Sequence, residues 1–222
     1  MQVGVDEAGK GPVLGSMFAA AVRAPEAAIP DGVRDSKELT ARRREELEGA
    51  LRADDRVEIG LAEISPERID DPGTDMNSLT VTAQADALGT VATDGDTVHL
   101  DAGDVDAGRF GRRVGDRVPV EVDVRAEHSA DASHPVVAAA SVIAKVARDA
   151  HVADLAAKYG AVGSGYPRDA TTRSFLDSYV GEHGRLPDCA RASWKTSEDV
   201  LGAHGITARD PGVDDQSTLG EF

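Results

Sequence analysis

The sequence predicts an α/β protein whose chain ends in a run of helices. Two observations carry this. Through roughly the first half of the chain, short apolar or alternating stretches are interleaved with stretches whose apolar residues recur at helical spacing. From Pro135 onward the pattern is helical only. The chain has 222 residues, of which 41% are hydrophobic. That suffices for a folded core in one large domain, or in one domain with an appendage.

In chain order, residues 2–6 (Gln-Val-Gly-Val-Asp) form a short apolar strand that ends in an acid. A glycine-rich turn at 9–12 leads to a second apolar stretch, Val13 to Val22, read as its hairpin partner. Asp31 to Lys37 is a polar connection. Thr40 can cap a helix running to about Arg52, whose charges mark a solvated face. Val57, Ile59 and Leu61 alternate within 56–63, a third strand. Met76, Leu79, Ala83, Ala87, Leu88 and Val91 give helical spacing over 76–92. Residues 97–101 (Thr-Val-His-Leu-Asp) are a strand that again ends in an acid. Val118, Val120, Val122 and Val124 alternate, a further strand. Pro135 opens a long Ala/Val-rich helix to about Tyr159, apolar on more than one face near its start and therefore buried there. A loop at 160–168, a helix at about 170–180 and another at 196–203 follow. The tail from about 206 is poor in apolar residues and is expected to be disordered.

Composition narrows the setting. Acids outnumber bases 40 to 24, for a net charge of −16. There are 26 Asp against 14 Glu, and 19 Arg against 5 Lys. A surface rich in Asp and poor in Lys fits adaptation to high salt, where a Debye length of about 3 Å near 1 M screens self-repulsion. The alternative is a mildly acidic mesophile protein. Bulk charge of this sign argues against a nonspecific nucleic-acid binder, although a local patch could differ from the bulk. No apolar run is long enough to span a bilayer, and no signal peptide is evident, so a cytoplasmic protein is expected; it is read separately as a monomer. The single Cys189 excludes an intramolecular disulfide framework and is read as a plain small residue. The six His show no ligand spacing and are read as structural or surface residues. Trp194 is read as a core or interdomain anchor.

Residues 4–11, "GVDEAGKG", read as G-x-x-x-x-G-K and then place Gly11 where a P-loop needs Ser or Thr. Asp6 and Glu7 would put two negative charges inside the anion cradle, which repels phosphate. The spacing of Gly9, Gly11 and Gly15 is one residue too long for a dinucleotide fingerprint. The acids themselves are better read as the working parts. Carboxylates at strand ends, Asp6, Glu7 and Asp101, form an oxygen-only donor set suited to Mg²⁺ or Mn²⁺. Two such ions can drive in-line phosphodiester hydrolysis. On spacing alone, ordinary turn acids remain an open reading.

A resemblance covers about residues 3–195. "GVDEAGKGP" (4–12) resembles the N-terminal signature of ribonuclease HII, the type 2 ribonuclease H family. "DSKEL" (35–39), "HLDAG" (99–103), "ADASHPVVAAASVIAKVARD" (130–149), "GSGYP" (163–167) and "RASW" (191–194) follow in the family's order. The resemblance implies a ribonuclease H-like fold, a mixed central sheet with flanking helices plus a C-terminal helical segment. It divides the chain into a catalytic domain at 1–165, a helical segment at 166–205 and a tail at 206–222.

The resemblance also implies four metal-binding catalytic acids, Asp6, Glu7, Asp101 and Asp131, with two ions when substrate is bound. Asp149 is kept as a neighbour of the site or a helix surface acid. Gly9-Lys10-Gly11 corresponds to the family's G-R-G segment, whose backbone meets the 2′-OH of the ribonucleotide; Lys10 departs from the usual Arg. Tyr166 corresponds to the tyrosine that stacks on the sugar at the RNA–DNA junction. Ser36, Lys37, Lys145 and Arg148 are candidate phosphate contacts. The implied activity is endoribonucleolytic cleavage of RNA in RNA–DNA hybrids and at ribonucleotides embedded in duplex DNA, leaving 5′-phosphate and 3′-OH ends. Its implied roles are ribonucleotide excision and primer removal. A junction resolvase of the same fold and a non-catalytic hybrid-binding or clamp-adaptor protein are the alternatives. In the tail, "QSTLGEF" (216–222) resembles the sliding-clamp binding box, with Gln216, Leu219 and Phe222 as docking residues.

Overall fold

Along the first strand Val3 and Val5 face one side of a sheet, and Gly4 and Asp6 face the other. The architecture follows from how those two faces are covered. The computed structural model describes residues 1–33 and 39–206. The expectations for Ser36, Lys37, Gln216, Leu219 and Phe222 lie outside the described residues.

Among the described residues the sheet has five strands: β1 (Gln2–Ala8), β2 (Met17–Ala24), β3 (Glu58–Ile64), β4 (Thr97–Asp101) and β5 (Asp123–Glu127). Their order is β3-β2-β1-β4-β5. β2 pairs antiparallel with β1 and β3, whereas β4 runs parallel to β1 and β5. The sheet is mixed, with helices on both faces. These are α1 (Ala41–Ala53), α2 (Pro66–Ile69), α3 (Met76–Gly89), α4 (Ala107–Gly115), α5 (Ala130–Ser133), α6 (Pro135–Tyr159), α7 (Ala170–His183) and α8 (Lys195–Ala203). None of the helices among the described residues is long and apolar enough to cross a membrane.

On one face, Val3, Val5, Ala19, Ala21, Val98 and Leu100 pack against Leu79, Ala83 and Leu88 of α3 and against Phe110 and Val114 of α4. On the other, Ala20 and Val22 meet Ala139, Ala140 and Ile143 of α6, with Leu51 of α1 beside them. Helix α6 is buried without interruption from Val136 to Ala144, as its Ala/Val content predicts. Its first turn lies directly on β1. A Cβ added at Gly4 would come within 2.2 Å of the Val136 carbonyl carbon, so only glycine permits the contact. A third cluster, Val13, Leu14, Val162, Leu176 and Cys189, joins the C-terminal helices to the segment after β1. Trp194 packs against both this cluster and the α3 face. Burial pushes the Cys189 thiol up to about 11, which fits a structural residue and not a nucleophile.

Several expected boundaries move. The second strand begins at Met17, not Val13, because residues 13–14 turn aside to accept contacts from the C-terminal segment, with Leu14 bridging Ala190. The valines at 118–124 do not form a strand over that range; β5 starts at Asp123. Pro119 removes a backbone donor within the alternating run, and Val118 and Val122 reach the core from a loop. Helix α4 was not expected from a segment with three glycines. Its signals are the Asp106 side chain, which accepts from the Arg109 N–H at 2.8 Å, and the buried pair Phe110 and Val114 four residues apart.

The start of β4 is tied down by Asp96. Burial alone would raise this carboxyl. The Arg23 guanidinium at 2.7 Å, the Met1 ammonium at 2.9 Å and the Thr93 N–H and hydroxyl at 3.0 Å outweigh it and hold the group well below the usual carboxylate range. A depressed native value means stability that is present above about pH 4 and lost as pH falls below it. Asp96→Asn should therefore flatten the acid side of the stability–pH profile while lowering stability at neutral pH. Parallel urea unfolding curves of both proteins from pH 7 to pH 3 check this, and identical slopes on the acid side would contradict it.

Candidate active site

Neighbouring residues on a strand point to opposite faces, so Asp6 and Glu7 straddle the end of the sheet. Asp6 is 5% exposed and accepts a hydrogen bond from Ser141 of α6; its own Oδ1 also takes the Glu7 N–H at 2.7 Å. Glu7 points toward α3, where Gln84 Nε2 donates to its Oε2 at 2.6 Å. The same Gln84 nitrogen donates to the Asp101 carbonyl at 3.0 Å, joining β1, α3 and β4 at one side chain. Asp101 lies at the end of β4, which runs parallel to β1 and places Leu100 beside Val5. Its Oδ1 accepts from the Ala130 N–H at 3.0 Å, which fixes α5 to the strand end. The next residue is Asp131, only 3% exposed. The structure thus brings Asp6, Glu7 and Asp101 together, and Asp131 follows in the chain the residue that Asp101 holds.

The electrostatics of this group are those of crowded acids. Burial, then the Glu7 and Asp101 charges, raise the Asp6 carboxyl well above its ordinary value. Burial likewise lifts Glu7 to about 6, against the opposing effects of Gln84 and Lys10. Buried like charges of this kind are unfavourable unless a cation offsets them. The donor set is all oxygen and fits a hard divalent ion such as Mg²⁺ or Mn²⁺.

The Gly9-Lys10-Gly11 segment follows these acids in the chain. Gly9 has φ +87°, and a Cβ there would stand 2.9 Å from the Ser16 carbonyl oxygen. Lys10 does not project freely. Its Nζ donates to the Gly103 carbonyl and, at 3.1 Å, to Asn77 Oδ1. Gly11 faces Tyr166, with 3.8 Å between the position of its missing Cβ and the ring. Tyr166 is 41% exposed and carries the Arg148 guanidinium 4.9 Å from its ring centroid. Arg148 also donates to the Ser164 carbonyl and to Asp149 at 3.0 Å, while Arg44 holds Asp149 at 2.6 Å. Asp149 is thereby the acid of an ion-pair group between α1 and α6. Lys145 is half-buried on α6.

Two residues in this region went unassigned in the sequence. Gln84 looks like any polar residue in a helix; it is fully buried, and only the fold places it between two acids. Arg191 belongs to the "RASW" block, but its role depends on contacts some 180 positions away. It is 0% exposed, and its guanidinium donates to the carbonyls of Gly15 at 2.9 Å, Lys10 at 2.9 Å and Gly9 at 2.6 Å. Burial pulls it down to about 10, partly offset by Asp70, so it is still a cation at neutral pH. Trp194 lies under it, 5.0 Å from ring centroid to guanidinium carbon.

The chain matches the sequence model of the family described as Ribonuclease HII over residues 3–197. The chain belongs to the ribonuclease HII family. It is therefore a ribonuclease H, an endoribonuclease acting on RNA–DNA hybrids. A ribonuclease HII of Halobacterium salinarum is 64% identical over 208 residues, covering 93% of this chain and 97% of that protein. One from Haloarcula marismortui is 60% identical over 222 residues, covering all of both chains. Both relatives come from halophilic archaea, in keeping with the acidic composition. Among solved structures, the ribonuclease H2 of Pyrococcus horikoshii matches with TM-score 0.84 and 36% identity, over 91% of this chain and 97% of that one. A structure described as the PCNA:RNase HII complex from Archaeoglobus fulgidus matches with TM-score 0.80 and 35% identity, over 90% and 96%.

Proposed function

We propose that the enzyme cleaves RNA within RNA–DNA hybrids and at single ribonucleotides embedded in duplex DNA, leaving 5′-phosphate and 3′-OH ends. What supports this is the adjacency of two features: Asp6, Glu7 and Asp101 close together at the sheet end, with buried Asp131 following the Ala130 that Asp101 holds, and beside them the Gly9–Gly11 backbone facing the exposed Tyr166 ring. Asp6, Glu7, Asp101 and Asp131 would hold the divalent cation, Mg²⁺ or Mn²⁺, which supplies the Lewis acidity for phosphodiester hydrolysis. Gln84 and the Ala130 N–H keep Glu7 and Asp101 oriented. The 2′-OH is what separates RNA from DNA at a given position. A backbone that reads it must come close, and Gly9 and Gly11 have no Cβ in the way. Lys10, tied to Asn77 and Gly103, then acts as an anchor of this backbone, which explains how Lys can stand where the family usually has Arg. Tyr166 stacks on the sugar, and Arg148 beneath it fixes the ring. Lys145, Ser36 and Lys37 contact phosphate. The 1–165 region carries the chemistry, and the helical segment after it braces the recognition loop through Arg191.

Removal of misincorporated ribonucleotides and of primers is the role this specificity serves. The tail motif, together with similarity to a relative solved with PCNA, supports docking on a sliding clamp through Gln216, Leu219 and Phe222. One experiment tests these readings. A duplex with one ribonucleotide should be cut with Mg²⁺ or Mn²⁺ at high KCl, and an all-DNA four-way junction should not. Adding the clamp should raise turnover of the full chain but not of Phe222→Ala. Cleavage of the junction in preference to the ribonucleotide would reverse the assignment.

A further inference from the structure

A second cluster of ligand-type side chains lies on the same sheet face as Asp101, behind the strand end. The parallel register of β4 and β5 pairs His99 with Arg125 and Asp101 with Glu127. His99 and Glu127 therefore share a face. His134, the residue that enters α6, brings its ring over the same spot. The His99 and His134 rings stack with centroids 3.9 Å apart and planes at 26°. His134 Nε2 also hydrogen-bonds a Glu127 carboxylate oxygen. One ring nitrogen from each histidine and one oxygen of Glu127 lie within 4.8 Å of one another. A simple surface ion pair between His134 and Glu127 does not account for His99. That imidazole is 6% exposed, and its Nδ1 is buried with no hydrogen-bonding partner. An orphaned ring nitrogen in such a place is costly unless something fills it.

We propose that His99, Glu127 and His134 form a binding site for a borderline transition-metal ion of the Zn²⁺ type, separate from the four-carboxylate site. The donor set is two imidazoles and a carboxylate, which favours Zn²⁺, Co²⁺ or Ni²⁺ over Mg²⁺ and Mn²⁺. The two sites thus sort metals by hardness: all-oxygen at the sheet end, mostly nitrogen behind it. Zinc ligands sit at about 2.0–2.2 Å. Reaching that geometry needs the imidazole stack to open by side-chain rotation. Glu127 and His134 are 49% and 27% exposed, so both can turn, and the exposed side leaves a position for water. The ion would tie β4, β5 and the start of α6, the elements that flank Asp101 and Asp131.

The test uses the full chain stripped of metal, then exposed to Zn²⁺ or Co²⁺ in a large excess of Mg²⁺, which occupies the oxygen site. Elemental analysis after dialysis should find one Zn²⁺ per chain in the wild type and in Asp6→Asn. The Co²⁺ form should show visible d–d absorption of a low-coordinate, nitrogen-ligated ion. His134→Ala and Glu127→Gln, both at partly exposed positions, should weaken Zn²⁺ binding at least about tenfold with unchanged circular dichroism. Equal Zn²⁺ affinity in wild type and His134→Ala, with Glu127→Gln likewise unaffected, would overturn the site. So would loss of the ion in Asp6→Asn, because the metal would then belong to the carboxylates.

Discussion

Asp6→Asn should lower cleavage of a one-ribonucleotide duplex by about a thousandfold or more, roughly 4 kcal/mol of transition-state stabilisation, while the metal-free protein becomes more stable. The two effects have one cause. Asp6 is buried among Glu7 and Asp101, and its carboxyl is raised well above the ordinary value. A raised acid value means that the folded state gives up its proton less readily than the unfolded one. Stability is therefore lost as pH rises past the ordinary carboxylate range, and at neutral pH the charge opposes folding. Asparagine keeps the shape and removes the charge. Activity against both Mg²⁺ and Mn²⁺, set beside thermal unfolding in chelator, measures both sides. A variant that cleaves within about tenfold of the wild type would remove Asp6 from the chemistry.

Arg191→Lys should cost on the order of 10²-fold in kcat/KM on the same substrate, and Arg191→Met should destabilise the fold by about 4 kcal/mol or more. The guanidinium fork holds three carbonyls, those of Gly9, Lys10 and Gly15, in a place closed to water. Lysine offers a point charge that cannot span them, so the loop would shift relative to the acids. Methionine leaves all three without this donor, at roughly 1–3 kcal/mol each before relaxation. Asp70 offers an independent handle. It accepts from the Ala192 N–H at 2.7 Å and the Ser193 N–H at 2.9 Å, and so fixes the segment from which Arg191 projects. Asp70→Asn should reproduce a fraction of the Arg191→Lys defect with a nearly normal melting temperature. Full activity in Arg191→Lys would show that the loop keeps its shape by other means.

What the sequence disclosed, and what it withheld, divides along range. Asp6, Glu7 and Asp101 were visible because strands ending in acids are a local pattern. Thr40 capping α1 and the buried start of α6 are equally local. The start of β5 is hidden because alternation of Val118, Val120 and Val122 imitates a strand, while Pro119 within that run cannot donate to a ladder. The roles of Gln84 and Arg191 were illegible, since each depends on partners 17 to 182 positions distant. The gathering of His99, Glu127 and His134 was hidden for the same reason. No spacing rule joins residues on two parallel strands and a helix start.

The contact at Gly4 has a bearing on how so acidic an enzyme keeps its site in place as salt changes. Where Gly4 meets Val136, backbone lies on backbone, and no side chain separates the strand of Asp6 from the helix of Ser141. That distance is set by van der Waals contact between uncharged backbone atoms, which screening by dissolved ions and exchange of surface residues leave in place. Lineages are then free to load the exterior with aspartate as their surroundings become saltier. The working end of the sheet stays calibrated, because its ruler is made of peptide and not of charge.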